Sequence, residues 1–206
     1  GTHFANYAVQ NSDVLIGVGA RFDDRVTGNV AKFAPHAKII HIDIDPSSIS
    51  KTVRVHVPIV SDVKDAIVKL DALLLDKRPE MKEWLVQIAD WKIKHPMKYG
   101  NTGVQIHPSY VIEQIGDLTK HRAVVVTGVG QHQMWTAQWY RFDRPRTMLT
   151  SGGLGTMGYG LPAAIGAQIS KPKATVICIE GDGSFQMTMT ELATAAFNKV
   201  PVKVFI

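Results

Sequence analysis

Apolar runs of strand length alternate with longer amphipathic stretches along this chain, and that alternation limits its fold more than any other feature. A strand that is apolar on both faces must be covered on both sides, which a parallel sheet flanked by helices provides. Residues 4–11 read as a helix, and residues 13–18, 38–44 and 55–60 as strands. Asp62 caps a helix reaching about Leu75, with Val63, Ile67, Leu70 and Leu74 on one face. Composition changes after Asp76. Residues 77–101 are charged, carry Trp84, Trp91, Pro79 and Pro96, and read as a connecting helix that leads into a Gly-rich link at 99–103. A second alternation follows. Its helices are expected at Pro108 to about Asp117, at 131–140, 158–169 and 184–197, and its strands at 123–127, 174–180 and 202–206. The expected fold class is α/β, with two Rossmann-like parallel-sheet blocks at residues 1–76 and 106–206 and a linker at 77–105.

Composition narrows the function. Hydrophobic residues make up 45% and charged residues 20%, ordinary for a globular protein. The apolar runs are far shorter than the roughly 20 residues of a membrane helix, so no membrane partner is expected. No targeting peptide is visible. The single cysteine, Cys178, lies inside an apolar run and reads as a buried, inert thiol, which favours a reducing, cytoplasmic setting, or an organelle in a eukaryote. The formal charge is +5, scattered except for a modest cluster at Arg141, Arg144 and Arg146. A nucleic-acid stripe would be denser and interleaved with aromatics, so the basic surface suits small anions instead. Trp84 and Trp91 are expected to seam against a neighbouring domain, and Trp135, Trp139 and Tyr140 to pack a subunit or domain contact. Gly1 is not an initiator methionine and residues 201–206 read as a strand that stops without a turn, so truncation at both ends is the expectation.

The sharpest motif is Glu180-Gly181-Asp182-Gly183-Ser184-Phe185, at the end of a very apolar strand. Ligands of parallel sheets sit beyond such strand ends. Flanking glycines allow a close approach, and a lone carboxylate suits Mg²⁺, which takes one or two protein carboxylates plus phosphate oxygens. The bare motif reads equally as a strand-to-helix turn. Two other segments are glycine-rich: residues 128–135 (Gly-Val-Gly-Gln-His-Gln-Met-Trp) and residues 151–162 (Ser-Gly-Gly-Leu-Gly-Thr-Met-Gly-Tyr-Gly-Leu-Pro). Each alone could be a generic anion-binding loop. In the first block Gly17-Val18-Gly19 ends a strand, and Asp43 and Asp45 end the next. This is a loose dinucleotide fingerprint, or a plain Rossmann-like turn.

In this order and spacing the three later segments resemble the acetolactate synthase (acetohydroxyacid synthase) family of thiamine-diphosphate-dependent transferases. Residues 181–183 match the opening of the thiamine-diphosphate fingerprint, and residues 19–28 resemble that family's FAD-binding segment. The resemblance runs over essentially the whole chain. It implies the later half of a FAD-binding domain, a linker, and the earlier half of a diphosphate-binding domain. Gln131 and His132 would then meet the cofactor's diphosphate, and Gly155, Thr156 and Met157 its aminopyrimidine, with Met157 propping thiamine in its bent form. Asp182 would bind Mg²⁺, with Gly183 and Ser184 beside it. Flavin contacts would be Gly19, Ala20, Arg21, Phe22, Asp23, Asp43, Ile44, Asp62 and Val63, while Asp24 and Arg25 read as a local ion pair. The implied substrates are small 2-oxo acids: pyruvate condenses with pyruvate or 2-oxobutyrate, losing CO₂, on the way to branched-chain amino acids. A homodimer or homotetramer with a regulatory small subunit is implied as well. The activating glutamate of such enzymes belongs to an amino-terminal domain, so no catalytic acid–base residue is named and this piece alone is expected to be inactive. Glyoxylate carboligase and pyruvate oxidase are alternatives within the class, and a nicotinamide-dependent dehydrogenase or a non-catalytic nucleotide-binding module outside it.

Overall fold

A computed structural model describes residues 1–75, 77, 79–100 and 103–206. The boundary residue Asp76 and the end of the charged stretch, Asn101, lie outside the described residues. The chain divides into two compact units, Gly1–Met97 and Lys98–Ile206. Each is built on its own parallel sheet.

The first unit holds strands β1 (Val14–Val18), β2 (Lys38–Asp43) and β3 (Val57–Val60), paired parallel in the order β1-β2-β3. Around them lie α1 (His3–Asn11), the short α2 (Asp24–Thr27), α3 (Val63–Leu74) and α4 (Lys82–Lys94). Asp62 caps α3 by accepting from the Lys64 and Asp65 N–H groups, as its position in sequence implies. The core on one sheet face is Phe22, Ile39 and Val53, with His41 fully buried against the Phe22 ring at 5.0 Å. Gly17 is required here, because a Cβ would lie 2.5 Å from that ring. β1 reads as a strand buried on both faces, yet Val14, Ile16 and Val18 are exposed. It is an edge strand in this unit, so only its inward residues, Leu15 and Gly17, meet the core. Trp84 and Trp91 do form a seam, but it lies within this unit. They meet edge-on at 5.7 Å, and Trp91 packs on Tyr7 of α1 at 5.6 Å.

The second unit contains α5 (Pro108–Leu118), β4 (Val124–Thr127), α6 (Gln131–Trp139), β5 (Met148–Thr150), α7 (Gly160–Ser170), β6 (Val176–Ile179), α8 (Asp182–Thr188), α9 (Glu191–Phe197) and β7 (Lys203–Phe205). The sheet order is β5-β4-β6-β7, all parallel. Period-two alternation divides its two cores. Val124, Val126, Val176 and Cys178 face Leu161, Ala164 and Ile165 of α7, while Val125, Ile177 and Ile179 face Ile112 and Ile115 of α5. Trp135, Trp139 and Tyr140 join this second core, with Tyr140 only 3% exposed. Their role is therefore internal packing.

Two local features depart from the sequence reading. The helix expected at 184–197 is interrupted between α8 and α9, where Leu192 and Ala193 donate to Met189 and Thr190, three residues back. Those tighter bonds mark a 3₁₀-type turn in a Thr-rich stretch. β5 was not anticipated at all: three residues following Arg144-Pro145-Arg146 give no periodicity to read. Among the described residues no helix is long and apolar enough to cross a membrane.

Burial defines Cys178. Its side chain is fully enclosed, and desolvation, reinforced by nearby Glu180, pushes the thiol up to about 12 from its ordinary 9.0. Unfolding returns the group to its ordinary value, so its contribution to stability is complete below pH 9.0 and is lost as pH rises towards 12. The native protein should leave Cys178 unmodified by a thiol reagent at pH 8, and urea should release the reaction. Rapid labelling of the folded protein would contradict the buried placement.

Candidate cofactor site

β4 and β6 run side by side, with Thr127 opposite Ile179, and the segments that follow them part to opposite faces of the sheet. β4 leads into α6 on the α5 side, and β6 leads into α8 on the α7 side. A crevice opens beyond strand ends where a doubly wound chain reverses in this way, and ligands bind there. Here it is a cavity of about 760 Å³. Gln131, His132, Asp182, Gly183 and Ser184 line it on the polar side, and Ile112, Ile115, Trp135 and Met157 among others on the apolar side. α6 and α8 present amino ends that no side chain caps, leaving N–H groups for an anion.

The structure therefore gathers Gln131, His132, Met157, Asp182, Gly183 and Ser184 around one cavity. Asp182 opens α8 and is exposed. Among the described residues no three His, Cys, Asp or Glu side chains form a ready metal cage. Such a site would therefore draw on Asp182 plus oxygens from a ligand, as Mg²⁺ commonly does. Ser184 differs from Asp182. Its hydroxyl is buried and accepts the Gly158 N–H at 3.0 Å, while the Thr188 hydroxyl donates to the Gly158 carbonyl at 2.9 Å. These two bonds pin the loop ahead of α7 onto α8.

In that loop Gly155 and Gly158 take positive φ of 68° and 82°, a conformation that favours glycine. Gly155 and Thr156 are held by Ser151, through N–H bonds to its carbonyl and hydroxyl oxygens, and do not line the cavity. Met157 does. It is 41% exposed, and its Cε approaches Gly183 closely enough that a Cβ there would lie 3.4 Å away. A methionine half in solvent at a cavity wall contributes little to a core.

Glu180 belongs to the site although the motif reading passed over it as a site residue. It follows β6, is 2% exposed, and also lines the cavity. Burial raises its pKa, opposed in turn by the Ser184 hydroxyl and by the N–H groups of Leu161, Gly181 and Gly160. His132 lies beside it, Nε2 to Oε2 3.8 Å, and burial depresses the imidazole. The available signal was a carboxylate ending a fully apolar strand, a position where burial is forced.

In the first unit the carboxyl edge of the sheet brings three of the sequence-selected pairs into line. Gly19, at φ 60°, donates to the Ile42 carbonyl, Asp43 and Ile44 follow β2, and Asp62 and Val63 follow β3. Asp23 caps α2 and pairs with Arg21 at 2.6 Å, the ion pair of this loop in place of Asp24–Arg25. Ala20 is half-buried against the Phe22 core. The Phe22 side chain itself is turned into that core, with its backbone at a positive φ of 49°.

Comparison with known families agrees with both sheets. Residues 128–206 match the thiamine pyrophosphate enzyme C-terminal TPP binding domain, and residues 1–70 match the central domain of the same enzymes. The chain belongs to the thiamine pyrophosphate enzyme family. Over all of its length it is 48% identical to acetolactate synthase 1, chloroplastic, of Nicotiana tabacum, covering 32% of that protein. It is 49% identical to acetolactate synthase 2, chloroplastic, of Brassica napus, again over all of this chain and 33% of the relative. The acetolactate synthase isozyme 3 large subunit of Escherichia coli K12 is 47% identical over 99% of the chain and 36% of its own length. The chain thus spans about a third of the length of the curated relatives it matches. Within the thiamine pyrophosphate enzyme family, the C-terminal match places the cavity beyond β4 and β6 in the cofactor-binding domain.

Proposed function

We propose that this chain is the central and cofactor-binding part of an acetolactate synthase catalytic subunit. That subunit would join pyruvate to pyruvate or 2-oxobutyrate with loss of CO₂, giving 2-acetolactate or 2-aceto-2-hydroxybutyrate for branched-chain amino acids. The observation that carries this reading is the crevice beyond β4 and β6, where Gln131, His132, Met157, Asp182, Gly183 and Ser184 converge in a chain so similar to acetolactate synthases.

The cavity fits thiamine diphosphate on chemical grounds. Uncapped amino ends of α6 and α8 offer N–H groups to a diphosphate, and the Ile112, Ile115 and Trp135 side suits an aromatic ring. When bound, the cofactor supplies the carbon nucleophile and the electron sink that decarboxylation of a 2-oxo acid needs. Gln131 and His132 bind the diphosphate end. Asp182 would hold Mg²⁺, with Gly183 and Ser184 shaping the turn that carries it. Met157 would support the bend of the cofactor, and Gly155 and Thr156, fastened to Ser151, hold the loop that carries it. Gly19–Asp23, Asp43, Ile44, Asp62 and Val63, at the carboxyl edge of the first sheet, would hold FAD. Assembly as a homodimer or homotetramer with a regulatory small subunit is part of this reading, supported by the Escherichia coli relative's name as a large subunit. The compartment would be cytoplasmic in a bacterium or plastid-type in a plant, as the tobacco and rapeseed relatives are named chloroplastic.

Three outcomes test this in the full-length protein. Asp182→Ala should abolish Mg²⁺-dependent binding of thiamine diphosphate, and unchanged affinity by calorimetric titration would remove the metal assignment. Met157→Ala should cost no more than about 1 kcal/mol of stability, given its exposure, while slowing turnover on the order of tenfold to a hundredfold. Hydrogen–deuterium exchange at the cofactor's C2 checks the positioning role, which fails if the exchange rate is unchanged. The purified protein should be yellow and release FAD on denaturation, with no flavin reduction during turnover. A colourless, fully active preparation would overturn the flavin assignment.

A further inference from the structure

Glu180 is the one strongly buried carboxylate at the cavity described above, and its surroundings are built to admit it. Its side chain is fully enclosed. A Cβ on Gly128 would lie 2.0 Å from Oε2, and a Cβ on Gly160 would lie 2.0 Å from Oε1. Both glycines are therefore needed for the carboxylate to fit between the end of β4 and the first residue of α7. The groups turned towards it are donors: the Ser184 hydroxyl and the N–H groups of Gly160, Leu161 and Gly181. Neither oxygen completes a hydrogen bond of good geometry, and His132 Nε2, 3.8 Å from Oε2, also lacks one.

We propose that Glu180 is a positioning residue that sets the spacing between the loop carrying Met157 and the turn carrying Asp182. The proposal rests on the reading of this cavity as the cofactor site. α7 has no side-chain cap of its own, and the Glu180 carboxyl group, which follows β6, stands at its amino end against Gly160. Gly158, just after Met157, is already fastened to α8 by Ser184 and Thr188. Glu180 stands two residues further on, its carboxyl group wedged where a Cβ on Gly160 would lie 2.0 Å from Oε1 and a Cβ on Gly128 2.0 Å from Oε2. A cofactor that spans both segments needs their separation held, whereas a ligand at one segment does not. The residue type follows from the same contacts. A glutamine would turn an NH₂ group towards donors. An aspartate would fall short by one carbon–carbon bond, about 1.5 Å.

The test compares two ligands in the full-length protein by calorimetry: thiamine diphosphate with Mg²⁺, and Mg²⁺–pyrophosphate, which engages the diphosphate end and leaves the Met157 loop untouched. Glu180→Gln and Glu180→Asp should weaken the whole cofactor by about tenfold or more, since the first puts a donor where an acceptor fits and the second leaves the wedge short, and either shifts one segment against the other. Affinity for Mg²⁺–pyrophosphate should stay close to wild type. Gly160→Ala, whose Cβ would press on Glu180 Oε1 at 2.0 Å and on the Gly128 nitrogen at 2.7 Å, disturbs the same junction, should give the same split and carries the comparison if the Glu180 variants do not fold. Equal loss for both ligands together with a lower melting temperature would reduce Glu180 to packing and overturn the proposal, as would no change for either. A wild-type protein that binds neither ligand overturns the cofactor reading, and the proposal with it. Wild-type binding without the split overturns the proposal alone.

Discussion

The pairing of β4 with β6 is the constraint on which the second unit depends. Four consecutive partners hold the strands in register, from Val124 opposite Val176 to Thr127 opposite Ile179. Both strands are buried along their whole length. A slip of one residue would turn every side chain to the wrong layer, so the two cores fix the register as firmly as the backbone bonds do. The strand ends are thereby level, and Gly128 and Glu180 emerge side by side. Everything at the cavity follows from that coincidence: the amino ends of α6 and α8, the wedge of Glu180, and the Ser184 bond to Gly158.

Backbone shape and side-chain chemistry cooperate at this point. Glycine at 128 and 160 gives up side-chain contacts, and the vacated space takes a carboxylate that would otherwise have no room. A charged group enclosed in this way raises a desolvation cost that neighbouring donors only partly offset. Such an arrangement is hard to explain as core packing, where an apolar side chain would serve better. It fits a cavity wall whose shape is fixed by a side chain enclosed between two glycines. The first unit repeats the theme more simply, with Gly19 turning at positive φ where the chain leaves β1 and Asp43 standing at the next strand end.

Legibility in sequence followed the physics of each signal. Strands with apolar residues at every position and helices with a capping aspartate, such as α3 behind Asp62, announce themselves locally. The three-residue β5 does not, because its identity as a strand comes from its partner, β4. The α8–α9 interruption was likewise hidden, since the same Thr-rich stretch continues a helix in most settings. Tryptophans were legible as packing residues but not as to which surface they pack. Trp91 found Tyr7 and Trp135 found the second core, both inside their own units. Asp182 and Gln131 line the cavity because the strand ends themselves carry them there. Where a side chain can turn either way the direction is tertiary, as with Phe22 turned into the core and Ser184 bonded to Gly158.

By itself the sequence determined the α/β class, the two parallel sheets, the family, and the turn that carries Asp182. These depend on periodicity, on glycine and on short motifs, all properties of residues close together along the chain. Tertiary structure alone decided that Glu180 belongs to the site, that Gly155 and Thr156 stand back from the cavity, and that Met157 lies beside Gly183. Those facts join residues from separate loops. Their distances are set by how two strands pair and how helices cover them, which no local pattern encodes.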